Sequence, residues 1–152
     1  MTGLTKAQKI IVRELQSNGQ TTLETLSPMV GMSVSGLSKA IKVLDASKVI
    51  TGYKAVIDRK KVGLDMLAIL MIGMTAKALK DLDRFAGELS AMENVIEFAR
   101  VAGDFDFYVK LATRNTDHHY EVARQIADLD GVARTMTFIV LKEHASKDLP
   151  IG

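Results

Sequence analysis

The sequence predicts an α+β protein in which a helical amino-terminal domain precedes a ferredoxin-like domain of four strands and two helices. Three observations support this prediction. Helical patterns fill the first 47 residues, strand and helix patterns alternate in the order βαββαβ from residue 67 onward, and the composition is that of a folded globular chain. With 47% hydrophobic and 25% charged residues among 152, intrinsic disorder is excluded.

Composition also narrows the functional classes. The chain has no cysteine, which excludes a disulfide framework, a cysteine-built zinc or iron-sulfur site and a cysteine nucleophile. No basic segment followed by an apolar one opens the sequence, and the longest apolar run, Met66 to Met74, is too short to cross a bilayer. We therefore expect a cytoplasmic protein without a membrane partner.

The net charge of +2 conceals an asymmetry along the chain. Residues 1–60 carry nine Lys and Arg against four Asp and Glu, a net +5, whereas residues 61–152 carry eleven against fourteen, a net −3. A basic first part favours a polyanionic partner for that part alone.

The first and third helices have clear start signals. Thr5 is placed to cap a helix that runs to Leu15, and Ser33 is placed to cap a helix after the turn at Gly31-Met32. The third helix has an apolar stripe that should pack on the other two helices, formed by Val34, Leu37, Ile41 and Leu44.

The second helix is less regular. Thr21 and Glu24 have the spacing of a capping box, and Gly31 should end the helix. Pro28 removes a backbone donor, so we expect a kink, or a short helix with a fresh start near Ser27.

Two helices joined by a glycine turn, the second with small hydroxyl side chains and lysines facing outward, are typical of a helix-turn-helix that enters the major groove of DNA. The strand-forming segment Val49 to Asp58 follows and suits a wing or a strand that pairs elsewhere. The alternative is an ordinary solvated helix face. Context favours DNA, which makes these the candidate DNA-binding residues: Ser33, Ser35, Gly36, Ser38, Lys39 and Lys42.

The remaining elements follow from the periodicity of apolar residues. Strands are predicted at 67–75, 95–102, 105–112 and 135–142, and helices at 78–92 and, after a Thr116 cap, at 117–130. Inward positions are predicted to be Leu79, Leu82, Phe85 or Ala86, and Leu89 in the first helix, and Tyr120, Ala123, Ile126 and Ala127 in the second. The strands are apolar on both sides, so we expect another subunit to cover the sheet face that the helices leave open.

These elements divide the chain into a winged helix-turn-helix domain at 1–57, a linker at 58–65 and a ferredoxin-like domain at 66–152. The domain order and four motifs resemble the Lrp/AsnC, or feast/famine, transcriptional regulators. The motifs are Val30-Gly31-Met32-Ser33, Val49-Ile50-Thr51-Gly52-Tyr53, Lys61-Val62-Gly63-Leu64, and above all Val101-Ala102-Gly103-Asp104-Phe105-Asp106-Phe107.

This resemblance implies a RAM-type second domain that dimerises through its sheets, assembles into tetramers or octamers, and binds an amino acid between dimers at the loop of the last motif. Glycine permits close approach of a ligand, backbone amides can bind a carboxylate, and Asp104 or Asp106 can pair with an ammonium group. The candidate effector-binding residues are Gly103, Asp104, Phe105, Asp106, Thr135 and Thr137. The alternative for the loop is an ordinary hairpin turn, which needs the same residue types for its geometry.

One departure from the family concerns DNA. Recognition helices in similar proteins usually carry several arginines, whereas this one has Lys39 and Lys42, with Ala40 and Val43 at positions that are commonly basic. Lysine lacks the planar fork that grips guanine, so we expect modest specificity that several half-sites bound together would restore.

No cofactor, metal site or catalytic constellation is predicted, and we expect no enzyme activity. The adjacent His118 and His119 point about 100° apart on a helix, so they are poorly placed to share one ion. The predicted function is a DNA-binding regulator modulated by an amino acid. The alternative is a ligand-binding or assembly protein whose DNA-binding head reads sequence poorly.

Overall fold

The computed structural model describes residues 3–144 and 147–152. Its helices and strands are α1 (Lys6–Ser17), α2 (Leu23–Val30), α3 (Val34–Ala46), β1 (Met66–Met74), α4 (Leu82–Ser90), β2 (Val95–Arg100), β3 (Phe107–Thr113), α5 (Thr116–Ala127) and β4 (Val132–Ile139). Contacts divide the described residues into two compact units, one with residues up to Val56 and the segment 147–152, the other spanning Ile57–His144.

The first unit is a three-helix domain around a small apolar core. Thr5 caps α1 in a full capping box with Gln8, and the Ser33 side chain caps α3, both as predicted. The stripe residues Leu37 and Leu44 are buried, whereas Val34 is exposed. The four buried residues of this core are Ile11, Leu26, Leu37 and Leu44.

The second helix differs from its prediction in two ways. Thr22, not Thr21, is the N-cap, and its hydroxyl accepts a hydrogen bond from the Thr25 N–H at 3.3 Å. The helix also continues through Pro28 without a restart near Ser27. Pro28 stands two residues before the carboxyl end of α2, so little helix follows it before Gly31 closes the helix in the left-handed region at φ 71°.

The predicted wing is not formed in the single chain. Residues 51–58 contain no strand, and all of them are exposed. A β-strand needs a partner to bond its backbone groups, and strand propensity alone provides none. The strand prediction for Val49 to Asp58 is therefore wrong for this chain by itself.

The carboxyl-terminal segment departs from the predicted domain boundary. Residues 147–152 group with the first unit rather than with the second. The Gln16 side-chain amide donates to the Leu149 carbonyl at 3.1 Å, which ties this segment to α1.

The predicted linker is an ordered part of the second unit. It contains a 3₁₀ turn at Arg59–Val62. The Arg59 guanidinium pairs with Glu143 at 2.6 Å and donates to the carbonyls of Leu64 and Asp65. One half-buried arginine thus donates to three acceptors, and its bond to Glu143 holds this stretch against the segment that follows β4.

The second unit has the predicted ferredoxin-like architecture. Its four strands form one antiparallel sheet in the order β2-β3-β1-β4, with α4 and α5 on one face. Alternate residues of the two central strands point into the layer between sheet and helices, where Phe85 and Phe107 meet with ring centroids 5.0 Å apart. The largest buried residues of this core are Leu70, Ile72, Phe85, Leu89, Phe107, Val109, Leu111 and Ile126.

Both helices of this unit are shorter than predicted. Leu79 lies in a separate 3₁₀ turn at Ala78–Lys80 and is exposed, because α4 begins only at Leu82. Leu82, Phe85 and Leu89 are buried, as predicted.

The buried face of α5 also differs from the prediction. Asn115, not Thr116, caps this helix, and its side chain accepts from the His118 N–H at 2.9 Å. The buried residues are His119, Val122 and Ile126, whereas Tyr120 is 67% exposed. The periodicity of apolar residues is compatible with burial of either of two faces of α5, and packing against the sheet buries the face that contains His119.

Candidate functional site

The outward face of α3 carries the predicted DNA-binding residues. Ser33, Ser35, Lys39 and Lys42 are exposed, and Ser38 and Gly36 are half-buried at the edges of that face. The opposite side of the helix is anchored by the buried Leu37 and Leu44. The helix therefore presents a polar, cationic surface on a rigid scaffold, which is what entry into a DNA groove requires.

Ser33 has a structural role at the start of this face. Its hydroxyl accepts a hydrogen bond from the Gly36 N–H at 3.2 Å and lies 3.2 Å from the Ser35 hydroxyl. A Cβ on Gly36 would lie 3.3 Å from the Ser33 hydroxyl oxygen. Glycine therefore leaves room for the cap, and the serines of this turn are held in place before any ligand arrives.

An apolar residue interrupts the charged part of the face. Val43 is 56% exposed and follows Lys42 directly. The Val43 side chain has no polar atom, so the outer surface of α3 is less hydrophilic than its two lysines suggest.

The loop between β2 and β3 holds four of the predicted effector-binding residues. Gly103 has a φ of 145°, a region that side-chain-bearing residues rarely adopt, and a Cβ there would meet no atom within 4 Å. Asp104 is exposed and Asp106 is half-buried. The loop thus has open space on one side and an acidic side chain at its tip.

Asp106 fastens this loop to the end of β1. Its carboxylate accepts from the Met74 N–H at 2.7 Å, and its own backbone N–H donates to the Ile72 carbonyl at 2.8 Å. The Asp106 carbonyl in turn accepts from the Val101 N–H at 2.9 Å. Of the two aspartates, Asp106 is therefore engaged in holding the loop, and Asp104 is the one whose side chain faces solvent.

A residue that sequence reasoning missed also contacts this loop. Arg134 of β4 places its guanidinium carbon 4.5 Å from the centroid of the Phe105 ring, and its Nη2 donates to the Asp104 carbonyl. On the way it crosses Gly73 of β1, where a Cβ would lie 3.0 Å from both Cγ and Nε of the arginine. The signal that could have found it is Gly73 itself, because a glycine inside a buried strand marks a close approach by another group.

Thr135 and Thr137 are placed differently from the loop residues. They pair with Ile72 and Leu70, whose side chains are buried beneath the helices. Arg134 pairs with Gly73 and so lies on the opposite face of the sheet. The structure thus joins Arg134, not the two threonines, to the loop 103–106.

The open sheet face presents the apolar surface that the sequence predicts. Its apolar side chains belong mainly to β1, β3 and β4 and are half-buried or exposed, and the charged Glu97, Lys110 and Arg134 lie on the same face. Burial, and after it the neighbouring Glu97 carboxylate, raises the pKa of Tyr108 above its ordinary value. The apolar and aromatic side chains of this open face are Ile69, Met71, Tyr108, Met136 and Phe138.

The histidine pair shows no metal-binding geometry. Within residues 3–144 and 147–152 no group of three or more His, Asp and Glu could hold an ion. His118 accepts from the Arg114 N–H at 3.3 Å, whereas His119 is buried, and burial lowers its pKa. In the same part of the chain, no helix combines the length and the apolar character needed to cross a membrane.

Two clefts lie apart from the predicted sites. The larger one, of about 720 Å³, is in the first unit and is lined by residues 15–20 and 52–56. The smaller one, of about 180 Å³, surrounds Arg84, which pairs with Glu88 at 2.7 Å and Asp130 at 3.1 Å. The predicted DNA-binding and effector-binding residues line neither cleft, which places them on open surfaces of the single chain.

Comparison with known proteins decides the family. The profile of the Lrp/AsnC ligand binding domain matches residues 67–149. The chain is also 31% identical to the HTH-type transcriptional regulator FL11 of Pyrococcus horikoshii over 149 residues, which cover 97% of each chain.

The chain belongs to the Lrp/AsnC family.

Solved structures agree with this assignment. A leucine response regulatory protein of Mycobacterium tuberculosis superposes with a TM-score of 0.85 at 26% identity, covering 98% of this chain and 100% of that one. A Neisseria meningitidis transcriptional regulator, solved as a complex with L-Met, has the same fold with a TM-score of 0.87 at 24% identity, covering 97% and 96%. The predicted family and fold class are confirmed, and this Lrp/AsnC chain is a transcriptional regulator rather than an enzyme.

Proposed function

We propose that this regulator acts in the cytoplasm, binds double-stranded DNA through the outward face of α3, and responds to an amino acid held at the loop 103–106 of an assembled particle. The observation that carries the proposal is that one chain has two separate surfaces, a cationic helix face in the first unit and a loop of a ligand-binding domain in the second. A rigid helix displays Ser35, Lys39 and Lys42, and a separate unit matches a ligand-binding domain and carries a fastened, open-sided loop.

The DNA-binding part of the proposal rests on charge and exposure. Lys39 and Lys42 can meet phosphate oxygens, and the serines near the start of α3 can bond backbone or base edges. Two lysines supply limited affinity, so we propose that the assembly presents several DNA heads at once.

The assembly part of the proposal rests on the open sheet face. Met136 and Phe138 are 47% and 50% exposed beside the apolar Met71 and Ile69 with which they pair, and a second copy of the chain is the occupant that family membership favours. We propose a dimer through this face as the basic unit, with tetramers or octamers built from dimers.

The effector part of the proposal rests on the ligand-binding domain match and on the loop. The Neisseria relative was solved with L-Met, which makes a free amino acid the ligand class to test here. An amino acid that binds at a subunit boundary shifts assembly only when that boundary differs between the two states, so the proposal predicts a ligand-dependent change in particle size.

A gel shift with the DNA upstream of the protein's own gene tests DNA binding. We expect a retarded complex at low salt that weakens steeply as salt rises. No complex at any salt concentration would contradict the DNA-binding part of the proposal.

A thermal-shift screen against the twenty amino acids tests the effector. At least one amino acid should raise the melting temperature in a concentration-dependent manner, since a ligand that binds only the native state stabilises it. Light scattering with that amino acid should then report a change in mass.

A second candidate is a ligand-binding or assembly protein whose DNA head reads sequence poorly. It is favoured by the two lone lysines of α3 and by Val43 exposed beside them. This candidate predicts an amino-acid response together with equal affinity for the upstream DNA and for unrelated DNA, which the same gel shift measures.

A further inference from the structure

The Arg134 side chain is held by contacts with two other elements. It crosses the backbone of Gly73 on β1, lies over the Phe105 ring and donates from Nη2 to the Asp104 carbonyl. A long, exposed side chain normally samples many rotamers, and ordering it costs free energy. Three contacts that converge on one guanidinium mark a cation that is positioned in advance.

Among the residues that the structure describes, no carboxylate forms an ion pair with this guanidinium. Five ion pairs occur among residues 3–144 and 147–152, formed by Arg59, Arg84 and Arg124, and Arg134 is in none of them. The bond to the Asp104 carbonyl uses one of the five N–H donors, a proton of Nη2, so one edge of the guanidinium, either Nε with Nη2 or Nη1 with Nη2, retains two parallel donors for an anion. A planar fork with unused donors matches a carboxylate in geometry and in charge.

The surroundings leave room for a small zwitterion. Gly73 is buried beneath the Arg134 side chain, whereas Gly103 is exposed beside the Arg134 contact with the loop, and apart from its own chain neighbours no atom lies within 4 Å of a Cβ on Gly103. Asp104 presents an exposed carboxylate at the loop tip and takes part in none of the five ion pairs. A cation and an anion thus flank one loop, which complements the two charges of a free amino acid.

We infer that Arg134 binds the carboxylate of the effector, while Asp104 is the acidic group available to its ammonium. The inference rests on the proposed function, because it assumes that an amino acid is bound at the loop 103–106. It adds to that function a residue that selects α-carboxylates. This residue, Arg134, precedes Thr135 on β4 and lies on the other face of the sheet.

The test compares amino acids with their carboxamides on the full-length protein. Binding of the twenty L-amino acids and of the corresponding L-amino-acid amides is measured by titration calorimetry for the wild type, Arg134→Gln and Arg134→Lys. Arg124→Gln is the matched control, because Arg124 is an exposed arginine on α5 paired only with Asp128.

For the amino acid that the wild type binds most tightly, we expect the amide to bind at least about tenfold more weakly. Arg134→Gln should weaken the acid by a similar factor and leave the affinity for the amide nearly unchanged, so that the two losses do not add. Arg134→Lys should recover part of the affinity, since lysine keeps the charge and loses the fork. Arg124→Gln should bind like the wild type.

Equal losses for acid and amide in Arg134→Gln would overturn the inference, because they would mean that Arg134 only holds the loop in shape. Unchanged binding of the acid by Arg134→Gln would overturn it as well. Failure of the wild type to bind any of the twenty amino acids would instead contradict the effector proposal itself, and the inference with it.

A second variant checks the geometry independently. Gly73→Ala adds a methyl group 3.0 Å from Cγ and Nε of Arg134, so the arginine must shift by a few tenths of an ångström while its charge remains in the protein. We expect this variant to show part of the selective loss of Arg134→Gln for acids. Wild-type discrimination between acid and amide in Gly73→Ala would overturn the inference that the position of Arg134, and not only its charge, selects the carboxylate.

Discussion

The carboxylate of Asp106 accepts a hydrogen bond from the backbone N–H of Met74 at 2.7 Å, and this bond fastens the β2-β3 loop to the end of β1. The two residues are 32 positions apart in sequence. A half-buried donor at the end of a strand is satisfied, and the loop gains a fixed attachment. The candidate effector loop is therefore fixed to the sheet by a side-chain hydrogen bond and is not a free hairpin tip.

Loss of this attachment should destabilise the second unit. Asp106→Ala leaves the Met74 N–H without its acceptor, and we expect it to lower the free energy of unfolding by about 1–3 kcal/mol. Asp106→Asn retains an acceptor oxygen and should lose less. Urea unfolding measures both, with Asp104→Ala at the exposed loop tip as a control expected within about 0.5 kcal/mol of the wild type. A larger loss in the control than in Asp106→Ala would contradict the assignment.

Two glycines should respond to alanine in opposite directions. Gly131 has a φ of 96°, and a Cβ there would lie 2.5 Å from the Cβ of Ala78. We expect Gly131→Ala to lower the free energy of unfolding by about 1–3 kcal/mol through backbone strain and crowding. Gly87 lies inside α4 with nothing near its Cβ position, so Gly87→Ala should raise stability by roughly 0.5–1 kcal/mol. Urea or thermal unfolding of the two variants measures these changes, and a change of the same sign in both would contradict the prediction.

The two lysines of α3 should contribute to the salt dependence of DNA binding. If Lys39 and Lys42 each meet a phosphate, replacing both with glutamine should reduce the slope of log affinity against log salt by about 2. Gel shifts at several salt concentrations measure this slope. Lys80→Gln, an exposed lysine of the second unit, should leave it unchanged. An unaltered slope in the double variant would place the phosphate contacts elsewhere on the protein.

Charges introduced on the open sheet face should break the assembly. Met136→Lys and Phe138→Lys each place an ammonium group where a second copy would bury it, and an unpaired buried charge is strongly unfavourable. Size-exclusion chromatography with light scattering should report a smaller particle. Leu79→Lys is the matched control, because Leu79 is comparably exposed but lies outside the sheet. A native-sized particle for both β4 variants would exclude this face as the interface.

Stability should fall on mild acidification because of His119. The residue is 7% exposed, and burial lowers the pKa of its imidazole. The unfolded chain then takes up a proton near its ordinary pKa of about 6.5 while the folded chain does not. Stability is therefore complete above that pH and declines as the pH falls through it towards the lower folded pKa.

Replacement of His119 with leucine should flatten this decline, since leucine cannot titrate and suits the apolar layer beneath α5. Unfolding by urea at pH 5.5 to 7.5 measures the effect, and His118→Gln, one residue away, should preserve the slope. A slope that His119→Leu leaves intact would assign the pH dependence to other groups.

The errors in the predictions share one physical origin, which is dependence on contacts with another element. Thr5 and Ser33 are predictable as caps because a cap bonds within its own turn, and the signal is local. The inward face of α5 was misassigned because Tyr120 and His119 fit comparable periodic patterns, and only contact with the sheet separates them. The segment 51–58 has strand-forming residues, but a strand also needs a neighbour.

The sequence by itself determined the order of the elements, the division into a helical and an αβ part, the family, and the loop 103–106 as a candidate site, since all of these are encoded in periodicity, turn residues and short motifs. Only the tertiary structure decided that Asp106 anchors the loop, that Thr135 and Thr137 lie on the other face of the sheet from Arg134, and that Arg134 lies across Gly73 against Phe105. The reason is strand register. A residue of β4 meets a residue of β1 some sixty positions earlier only once the sheet has formed, and no local pattern specifies that pairing.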